Sequence, residues 1–351
     1  MSQSDLVILL SSFNGARFIA EQIGSIRRQT YTGWTLLVRD DGSSDETIPV
    51  VESLASQDGR ISLLRDGEGN LGPAASFGVL LAHARATGAP YVALADQDDV
   101  WLPTKLAREL ELLWDEEAVA GPATPMLVHS DLAVVREDLS LLHRSFLAFQ
   151  GLRHQSESPL GTLLIQNFVT GSTVVLNRAL LELAVPLPPV IMHDWWLALC
   201  AAALGRLLYL PEATVLYRQH GSNAQGSRGK WAGLIGAVRR PAAWWTGSAA
   251  MLDRTVEQAR ALAHRIEGRG RQVAPAGAML RDFCSAFAPG SGPLKRVQVV
   301  YRHRIQPRSL LPYPVPFYAR VLLWGGDLRE RQAGLPPRSD PEAERRAPAR
   351  P

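Results

Sequence analysis

The chain has 351 residues, of which 46% are hydrophobic and 20% charged, and its formal net charge is +3. This composition is typical of a globular protein with one large domain and an appendage, or with two domains. The two cysteines, Cys200 and Cys284, lie far apart with no C-x-x-C partner. The cysteine spacing argues against a disulfide framework and a zinc cage, and it fits a reducing compartment.

Apolar runs in the sequence are too short to cross a membrane. The chain starts MSQSDLVILLSSFNG, with no basic residue ahead of a short apolar run, so we expect no secretory signal. The longest apolar stretch, WWLALCAAALG, falls short of the roughly 20 residues that a spanning helix needs. These features predict a cytoplasmic protein without a transmembrane helix, and they leave peripheral contact with the inner face of the cytoplasmic membrane open.

The first half of the sequence alternates buried strands with amphipathic helices. LVILL at residues 6–10 is a continuous apolar run closed by a Phe-Asn-Gly turn, as expected for a buried parallel strand. The next segment, ARFIAEQIGSIRRQ, has apolar residues at helical spacing. A second strand over residues 34–39 leads to a helix that Ser44 opens, with Asp45 and Glu46 near its positive end.

Two further strands and one helix continue this alternation. ISLLRD predicts a third strand, GNLGPAASFGVLLAHARATG a third helix, and YVALAD a fourth strand. Four strands alternating with three helices predict an α/β fold with a doubly wound, mostly parallel, Rossmann-like sheet. Because ligands of such sheets bind beyond the carboxyl ends of the strands, we expect the functional residues there.

Beyond Trp101 the alternation is less regular. TKLARELELLWDEE predicts a helix, MLVHSDLAVV predicts a strand, and VPLPPV delivers the chain to a helix that begins near Asp194. After Ser222 the pattern predicts further helices, and the Pro, Arg and Glu content near the C-terminus predicts disorder. We therefore predict two halves of one α/β domain, a helical basic extension and a disordered tail, at residues 1–105, 106–225, 226–330 and 331–351.

Two adjacent carboxylates, Asp40 and Asp41, follow the second predicted strand in RDDGSSD. An Asp-Gly turn that caps the next helix explains one of them, since Asp, Gly and Ser are ordinary turn formers. A carboxylate at the carboxyl end of a strand can instead accept a hydrogen bond from a nucleobase N–H. Both interpretations stay open, because a turn needs one aspartate and this sequence has two.

Three carboxylates follow the fourth predicted strand in ALADQDDVWL. One interpretation is that Asp98 or Asp99 caps the helix that begins near Pro103. The other is a site for Mg²⁺ or Mn²⁺, which prefers oxygen ligands and commonly bridges one or two carboxylates to phosphates. Asp96 and Asp98 would share such a cation, because residues with one spacer face the same way on an extended segment. The cation would relieve the repulsion among the carboxylates.

Two further motifs, MHDWW and YRQHGSN, each carry a single candidate. Asp194 stands at a helix start, where an aspartate is usually a cap. If Trp195 or Trp196 formed an apolar wall beside it, its pKa would rise and suit a general base. His220 lies on a turn after the strand predicted from ATVLYRQ, where a structural role is the commoner expectation for a lone histidine. The sequence has no P-loop, G-x-S-x-G or H-E-x-x-H motif.

In their order along the chain, these motifs resemble the inverting glycosyltransferases of family 2, which have the GT-A fold. The segments that match are SSFNG, RDDGSSDET, NLGPAASF, ADQDDVW as the D-x-D motif, VTGSTVVLNR, MHDWW and YRQHGSN, which together cover residues 6–225. Within this family, DQDDVWLPTKL, QNFVTGSTVVLNR, HDWWLAL and YRQHGSN most resemble bacterial rhamnosyltransferases that build O-antigen, capsule or rhamnose-rich polysaccharide.

The resemblance implies a role for each motif. Asp40 or Asp41 would read the pyrimidine base of the donor, and Asp194 would be the catalytic base. Asp98 would bind Mg²⁺ or Mn²⁺ on the diphosphate, and His220 would complete the coordination. The implied nucleotide-sugar-binding residues are Ser12, Asn14, Asp40, Asp41, Asn70, Gly72, Asp96 and Gly171, and the implied metal ligands are Asp96, Asp98 and His220.

The donor that the resemblance implies is dTDP-L-rhamnose, and the acceptor is a lipid-linked or growing polysaccharide. Two positions depart from the commoner pattern: Phe13 stands where Tyr is frequent, and His193 stands where Glu often precedes the catalytic aspartate. The first removes a phenolic hydroxyl near the nucleotide, and the second leaves Asp194 as the only carboxylate of its motif. A UDP-hexose donor and a catalytically silent sugar-nucleotide-binding protein remain alternatives.

Positive charge is concentrated in the C-terminal third of the chain. No acidic residue lies between Asp282 and Asp327, and a second acid-free stretch runs from Ala213 to Leu252. Each basic residue near an anionic membrane contributes about 1 kcal/mol of attraction, and Trp prefers the interface. YRHRIQPRSLLPYPVPFYARVLLW therefore fits a membrane surface, with an ordinary solvated basic face as the alternative. Nucleic-acid binding is disfavoured because it leaves the aspartate cluster unexplained.

Overall fold

The computed structural model of the protein describes residues 5–154, 157–220, 241–267, 274–308 and 314–323. Its strands are β1 Leu6–Ser12, β2 Trp34–Asp40, β3 Ile61–Leu64, β4 Tyr91–Asp96, β5 Val100–Trp101, β6 Met126–Val135, β7 Leu141–His143, β8 Val175–Asn177 and β9 Arg206–Arg218. A 3₁₀ turn covers Gly171–Thr173.

The helices alternate with these strands as far as β6, and they dominate the C-terminal part of the described chain. They are α1 Ile19–Arg27, α2 Thr47–Gln57, α3 Pro73–Ala86, α4 Lys105–Ala120, α5 Phe146–Gln150, α6 Pro159–Leu163, α7 Arg178–Ala184, α8 His193–Leu204, α9 Pro241–Ile266, α10 Ala274–Ala286, α11 Pro293–Arg302 and α12 Pro314–Leu323. None of these helices is both long enough and apolar enough to cross a bilayer.

One sheet, in the order β3-β2-β1-β4-β8-β6-β9-β5 with β7 beside β6, forms the centre of the molecule. Strands β1 to β4 pair in parallel, as the sequence predicts, and helices separate them along the chain. Beyond β4 the sheet is mixed, because β8 runs antiparallel to both β4 and β6 while β9 runs parallel to β6. The predicted α/β class with a helical C-terminal region is confirmed.

The register of the parallel strands brings the predicted motifs to one edge. Ser12, the last residue of β1, pairs with Asp40 of β2, and Ser11 pairs with Asp96 of β4. The carboxyl ends of three strands therefore meet at one place, where ligands of such sheets bind.

Apolar side chains pack on both faces of the sheet. Leu9 and Leu94 belong to a core that also contains residues of α3, α7 and α8, whereas Ile8 and Leu10 belong to a core with residues of α1 and α4. This division follows from the alternation of side chains along a strand. Helices thus cover both faces, as the doubly wound prediction requires.

The sheet also joins the two predicted halves of the α/β domain. Strand β5, before the predicted boundary at residue 105, pairs antiparallel with β9 from the second half. Residues 226–240 of the predicted extension and the predicted tail at 331–351 lie outside the described residues. The domain boundaries stay a prediction.

The C-terminal helices pack on the second half of the domain. Arg265 of α9 donates from Nη1 to the carbonyl of Leu183 at 2.9 Å and from Nη2 to the carbonyl of Pro186 at 2.6 Å. Gln258 accepts the N–H of Ile191 at 3.1 Å. Since Ile191 lies just before α8, this contact connects the helical region to the start of the helix that carries Asp194.

A buried ion pair connects α4 to the sheet. Lys105 Nζ lies 2.5 Å from Glu109 Oε2, and both side chains are fully buried. The other oxygen, Oε1, accepts hydrogen bonds from Ser130 of β6 at 2.8 Å and Thr214 of β9 at 3.1 Å. The ammonium also lies 4.3 Å from the centre of the Trp101 ring. These contacts satisfy two charges that burial would otherwise penalise.

We expect Lys105→Met to lower the free energy of unfolding by about 3–5 kcal/mol, because it leaves the Glu109 carboxylate buried without a cation. Lys105→Met/Glu109→Gln should recover much of the loss, since it buries no unpaired charge. Urea denaturation followed by circular dichroism measures both. Arg108→Met, which removes exposed pairs with Glu111 on the same helix and with Glu212 of β9, is the control and should change stability little. A double variant as unstable as the single one would contradict this account.

Candidate active site

A cleft of about 440 Å³ opens where β1, β2 and β4 end. The loop before α3, the turn at Gly171 and the first residues of α8 form its other walls. The predicted site residues that line it are Ser12, Asp41, Asn70, Gly72, Asp96, Asp98, Gly171 and Asp194. The structure therefore gathers residues that are distant in sequence into one cavity large enough for a small-molecule ligand.

Asp40 and Asp41 have different roles in the structure. Asp40 Oδ2 accepts the N–H groups of Gly42 at 3.1 Å and Ser43 at 2.8 Å, and it does not line the cleft. Asp41 lines the cleft and accepts the N–H groups of Leu71 at 2.9 Å and Gly72 at 2.8 Å. The turn interpretation therefore fits Asp40, and Asp41 is the one that faces the site.

Arg39, which the motifs did not single out, holds Asp41 in place. Its guanidinium is fully buried and donates from Nη1 to Asp41 at 2.5 Å and to Ser76 at 2.9 Å. Nε donates to Asp66 at 2.6 Å, and Nη2 donates to the carbonyl of Gly69 at 3.2 Å. Arg39 thereby fixes the loop that carries Asn70 and Gly72 into the cleft wall. A charged residue inside an apolar strand is the sequence signal that indicates it.

The side chains of Asn14 and Gln97 bind neighbouring loops. Asn14, with φ at 48°, accepts the N–H of Ser44 at 2.8 Å and does not line the cleft. Gln97 accepts the N–H of Phe13 at 2.8 Å and donates to its carbonyl at 3.0 Å, as a neighbouring strand would. Asn14 therefore stabilises the loop that follows β2, and Gln97 is a cleft residue that the sequence motifs did not indicate.

The aspartates after β4 concentrate negative charge in the cleft. Burial, followed by the negative charges of Asp98 and Asp194, raises the pKa of Asp96 to about 7. Asp99 is 1% exposed, accepts the N–H of Arg218 at 3.4 Å and does not line the cleft. Burial, followed by the charges of Asp98 and Asp96, raises the pKa of Asp99 well above its ordinary value. The cleft thus favours a positively charged ligand.

Asp98 and His220, the two residues that the resemblance implies as metal ligands, are in contact. His220 Nε2 lies 2.8 Å from Asp98 Oδ2, and the His220 ring lies 4.8 Å from the ring of Phe18. Within the described residues, no three His, Cys, Asp or Glu side chains form a metal-holding cluster, so Asp96 does not complete a site with this pair. A carboxylate oxygen and an imidazole nitrogen are nevertheless donors that suit Mn²⁺ or Mg²⁺ when substrate phosphates supply further ligands.

Asp194 lies at the first turn of α8 and lines the same cleft as Asp98. Its Oδ2 accepts the N–H of Gly171 at 3.0 Å, and its Oδ1 accepts the N–H of Trp195 at 2.6 Å and Nδ2 of Asn167 at 3.3 Å. Burial nevertheless raises its pKa to about 6, against these hydrogen bonds. A carboxylate that is fixed in position and titrates near neutrality suits a general base.

The tryptophans after Asp194 do not form the expected wall. Trp195 Nε1 donates to the carbonyl of Leu163 at 2.6 Å, and Trp196 Nε1 donates to the carbonyl of Ala184 at 3.0 Å. Both indoles are buried in the core, and neither lines the cleft. The expectation of an indole wall is therefore wrong, because each N–H finds its partner on the core side. Burial at the start of α8 raises the Asp194 pKa instead.

Gly171 and His193 form a close contact beside Asp194. A Cβ on residue 171 would lie 3.0 Å from His193 Nε2 and 3.7 Å from Asp194 Oδ2, so a side chain there would crowd the His193 ring. The His193 ring stacks on Phe77 with 3.8 Å between centroids, and it is 3% exposed. Neither ring nitrogen has a hydrogen-bond partner among the described residues. His193 departs from the family pattern at this position, and the motif alone indicates no role for it.

Residues 7–142 match the family profile described as Glycosyl transferase family 2. This segment is a family 2 glycosyltransferase domain. The matched range includes β1 to β6 and the carboxylates after β2 and β4, and the predicted family is thereby confirmed. Asp194 and His220 lie beyond the matched range.

Curated relatives of the chain carry glycosyltransferase names. An uncharacterized glycosyltransferase of Nostoc sp. is 29% identical over 62% of this chain and 65% of its own length. The UDP-Glc:alpha-D-GlcNAc-diphosphoundecaprenol beta-1,3-glucosyltransferase WfgD of Escherichia coli is 36% identical over 30% of this chain and 40% of its own length. The dTDP-rhamnosyl transferase RfbG of Shigella flexneri is 22% identical over 62% of this chain and 74% of its own length. The chain therefore spans less than two thirds of the first two relatives.

Proposed function

We propose that the protein is an inverting glycosyltransferase that moves a sugar from a nucleoside diphosphate onto a hydroxyl group of an acceptor. The observation that carries the proposal is the position of Asp194, a fixed carboxylate that shares one cleft with Asp96 and Asp98. Burial raises its pKa to about 6, so it is ionised at neutral pH and basic enough to accept a proton. The family 2 domain over residues 7–142 supports the same reaction class.

The nucleotide would occupy the end of the cleft that β1, β2 and the 70–72 loop form. Asp41 and Asn70 supply polar groups there, and Gly72 brings the backbone close to the ligand. Asp41 already accepts hydrogen bonds from two backbone N–H groups and from the Arg39 guanidinium, so we propose that it acts chiefly by shaping this pocket. Ser12, which donates to Asp40 at 3.2 Å, lies at the base of the same pocket. We propose that these groups hold the pyrimidine base and the ribose.

Asp98 and His220, with Asp96 nearby, would hold Mg²⁺ or Mn²⁺. The unbalanced negative charge on the cleft wall and the 2.8 Å contact between these side chains fit such a cation. When bound, the cation would neutralise the diphosphate and make it a better leaving group, so the protein needs no acid at that position. The residues proposed to hold the leaving group and the residue proposed to accept the proton therefore come from different elements that meet at one cleft.

In the proposed reaction, Asp194 removes the proton of the acceptor hydroxyl. The hydroxyl oxygen forms a bond to the anomeric carbon while the bond from that carbon to the diphosphate breaks, and the proton stays on Asp194. The hydrogen bonds from Gly171 and Asn167 hold the carboxylate in place during this step. A single displacement inverts the anomeric configuration, so a β-linked donor yields an α-linked product.

We propose dTDP-L-rhamnose as the donor. The combination of HDWW and YRQHGSN supports it, and so does the likeness to a dTDP-rhamnosyl transferase of Shigella flexneri. The likeness to a glucosyltransferase named for a UDP-Glc donor and a diphosphoundecaprenol acceptor supports a UDP-hexose as the alternative. The same name supports a lipid-linked glycan as the acceptor, and we propose a role in cell-envelope polysaccharide synthesis.

We expect dTDP to raise the melting temperature of the protein more than UDP, GDP or CDP, and only when Mn²⁺ or Mg²⁺ is present. Asp98→Ala should abolish the cation-dependent part of the shift, because it removes the carboxylate that contacts His220. Asp138→Ala is the matched control: Asp138 accepts the N–H of Ser140 at 2.9 Å outside the cleft and should leave the shift unchanged. Differential scanning fluorimetry measures all of these shifts.

The outcomes of this experiment separate the proposals. A shift with UDP alone would keep glycosyl transfer and change the donor to a UDP-sugar. No shift with any nucleotide would contradict the nucleotide-sugar site itself. A dTDP shift that is the same without a divalent cation would contradict the proposed cation site and leave the nucleotide pocket standing.

The pKa of Asp194 should determine how the rate of transfer depends on pH. Only the ionised carboxylate accepts a proton, and burial raises its pKa to about 6, so kcat/KM should rise with pH through about 6 and level off above it. An unperturbed aspartate would place this limb near pH ~4. Asp194→Asn should lower kcat by at least about 100-fold at every pH and leave dTDP binding intact. Retention of activity by this variant would exclude Asp194 as the base.

A further inference from the structure

The outer face of α11 and α12 exposes large apolar side chains. Leu294 is 85% exposed and Tyr301 is 86% exposed on α11, while Leu322 and Leu323 at the end of α12 are 56% and 68% exposed. Val297 lies between Leu294 and Tyr301 at helical spacing, so the three share one side of α11. We call these residues, with Tyr318 and the nearby arginines, the α11–α12 surface. Such a concentration of exposed apolar groups marks an interaction site.

The inner side of α11 explains why these side chains point outward. Arg296 is 2% exposed and donates from Nε to the carbonyl of Val321 at 2.6 Å and from Nη1 to the carbonyl of Ser291 at 2.5 Å. Val299 is buried on the same side. A cation that binds carbonyls near the C-terminal end of α12 stabilises that end and fixes the two helices together. The outer residues are therefore held in place.

Positive charge surrounds the apolar groups. A groove of about 810 Å³ between the helices is lined by Val297, Tyr301, Tyr318 and Leu322 together with Arg302, Arg304 and Arg308, and among the described residues no carboxylate lines it. Two acids lie beside this region in the described chain: Asp282 is 3.6 Å from Arg302 and 2.8 Å from His303, and Asp253 acts on Arg320 of α12. The surface therefore combines apolar tips with a net positive field.

We propose that the α11–α12 surface binds an anionic lipid bilayer. Leucine and tyrosine side chains would enter the boundary between headgroups and acyl chains, and the arginines would contact lipid phosphates. Charge complementarity favours this occupant. A second copy of the chain would bring the same positive groups together, and a nucleic acid would leave the aliphatic tips of Leu294 and Leu323 without partners.

The α11–α12 surface is directly connected to the candidate active site. The hydroxyl of Thr162 donates a hydrogen bond to the carbonyl of Gln306 at 3.2 Å, and the N–H of Arg308 donates to Oε1 of Gln166 at 2.8 Å. Gln166 precedes Asn167, which donates to Asp194. Binding at this surface would therefore place the cleft close to the bilayer. If the acceptor is lipid-linked, as the proposed function holds, docking would present its hydroxyl near Asp194.

Co-sedimentation with vesicles tests bilayer binding without any need for activity. We expect the full-length protein to sediment with vesicles of phosphatidylcholine and phosphatidylglycerol at 3:1, and to remain in solution with phosphatidylcholine alone. Arg304→Gln/Arg308→Gln should lower partitioning by about 25-fold, since each basic residue contributes about fivefold. Leu294→Ser/Tyr301→Ser should lower it at least as much, because it removes apolar area from the interface.

Matched controls remove similar groups elsewhere on the surface. Arg65→Gln/Arg108→Gln deletes two exposed arginines, and Val119→Ser deletes an apolar side chain that is 80% exposed on α4. Both should retain wild-type partitioning. Equal binding to neutral vesicles, or an equal loss in the controls, would overturn the proposal. Self-association that the α11 variants abolish, measured by light scattering without lipid, would assign the surface to a second copy instead.

A second inference rests on His193 alone. Its ring is 3% exposed, lines the cleft and is held against Phe77, yet neither nitrogen has a hydrogen-bond partner among the residues that the structure describes. Buried polar groups are normally paired, so an unpaired one on a cleft wall indicates a missing ligand. We infer that His193 binds a sugar hydroxyl, which can donate to one nitrogen or accept from the other. This inference depends on the proposed function.

Calorimetric titration with dTDP and with dTDP-L-rhamnose tests this role. His193→Ala should leave dTDP affinity unchanged and weaken binding of the sugar nucleotide by about tenfold, and His193→Gln should restore part of it because an amide also donates and accepts. Unchanged donor affinity with a raised acceptor KM would assign the hydroxyl to the acceptor. No change in either quantity would overturn the inference. Failure of the wild type to bind any nucleotide would instead contradict the proposed function.

Discussion

Repulsion among carboxylates at one edge of the sheet is the constraint on which the site depends. The parallel register places the ends of β1, β2 and β4 together, and the start of α8 brings Asp194 into the same cleft. Burial and the neighbouring charges of Asp98 and Asp194 raise the pKa of Asp96 to about 7. A fold selected for stability alone would not gather these groups. Their free-energy cost is typical of sites where charge is reserved for a ligand.

The sequence predicts the α/β fold well because its strongest signals are local. Apolar runs and helical spacing locate β1 to β4, and MLVHSDLAVV predicts β6 with the bounds that the structure has, Met126–Val135. The mixed part of the sheet was not predictable in the same way. The three-residue strand β8 carries no periodicity, and its antiparallel pairing with β4 and β6 depends on contacts far apart in sequence.

The candidate site was predictable as a set of motifs, but individual roles required tertiary contacts. Asp41 is distinguished from Asp40 by its hydrogen bonds from Leu71, Gly72 and Arg39 and by its place on the cleft wall. The sequence MHDWW predicts an indole packed beside the Asp194 carboxylate. In the structure, both indole N–H groups donate to carbonyls on the core side, those of Leu163 and Ala184. His193 becomes informative only when the structure shows that, among the described residues, neither of its ring nitrogens has a hydrogen-bond partner.

The buried guanidinium of Arg39 has a consequence for engineering the proposed donor pocket. It joins β2, the stretch after β3 and the start of α3 through hydrogen bonds to Asp41, Asp66, Gly69 and Ser76. Lysine offers three donors from one point and cannot reproduce this planar fork. The loop that carries Asn70 is therefore not a transferable module. To exchange this loop between relatives, Arg39, Asp41 and Asp66 would have to be exchanged together with it.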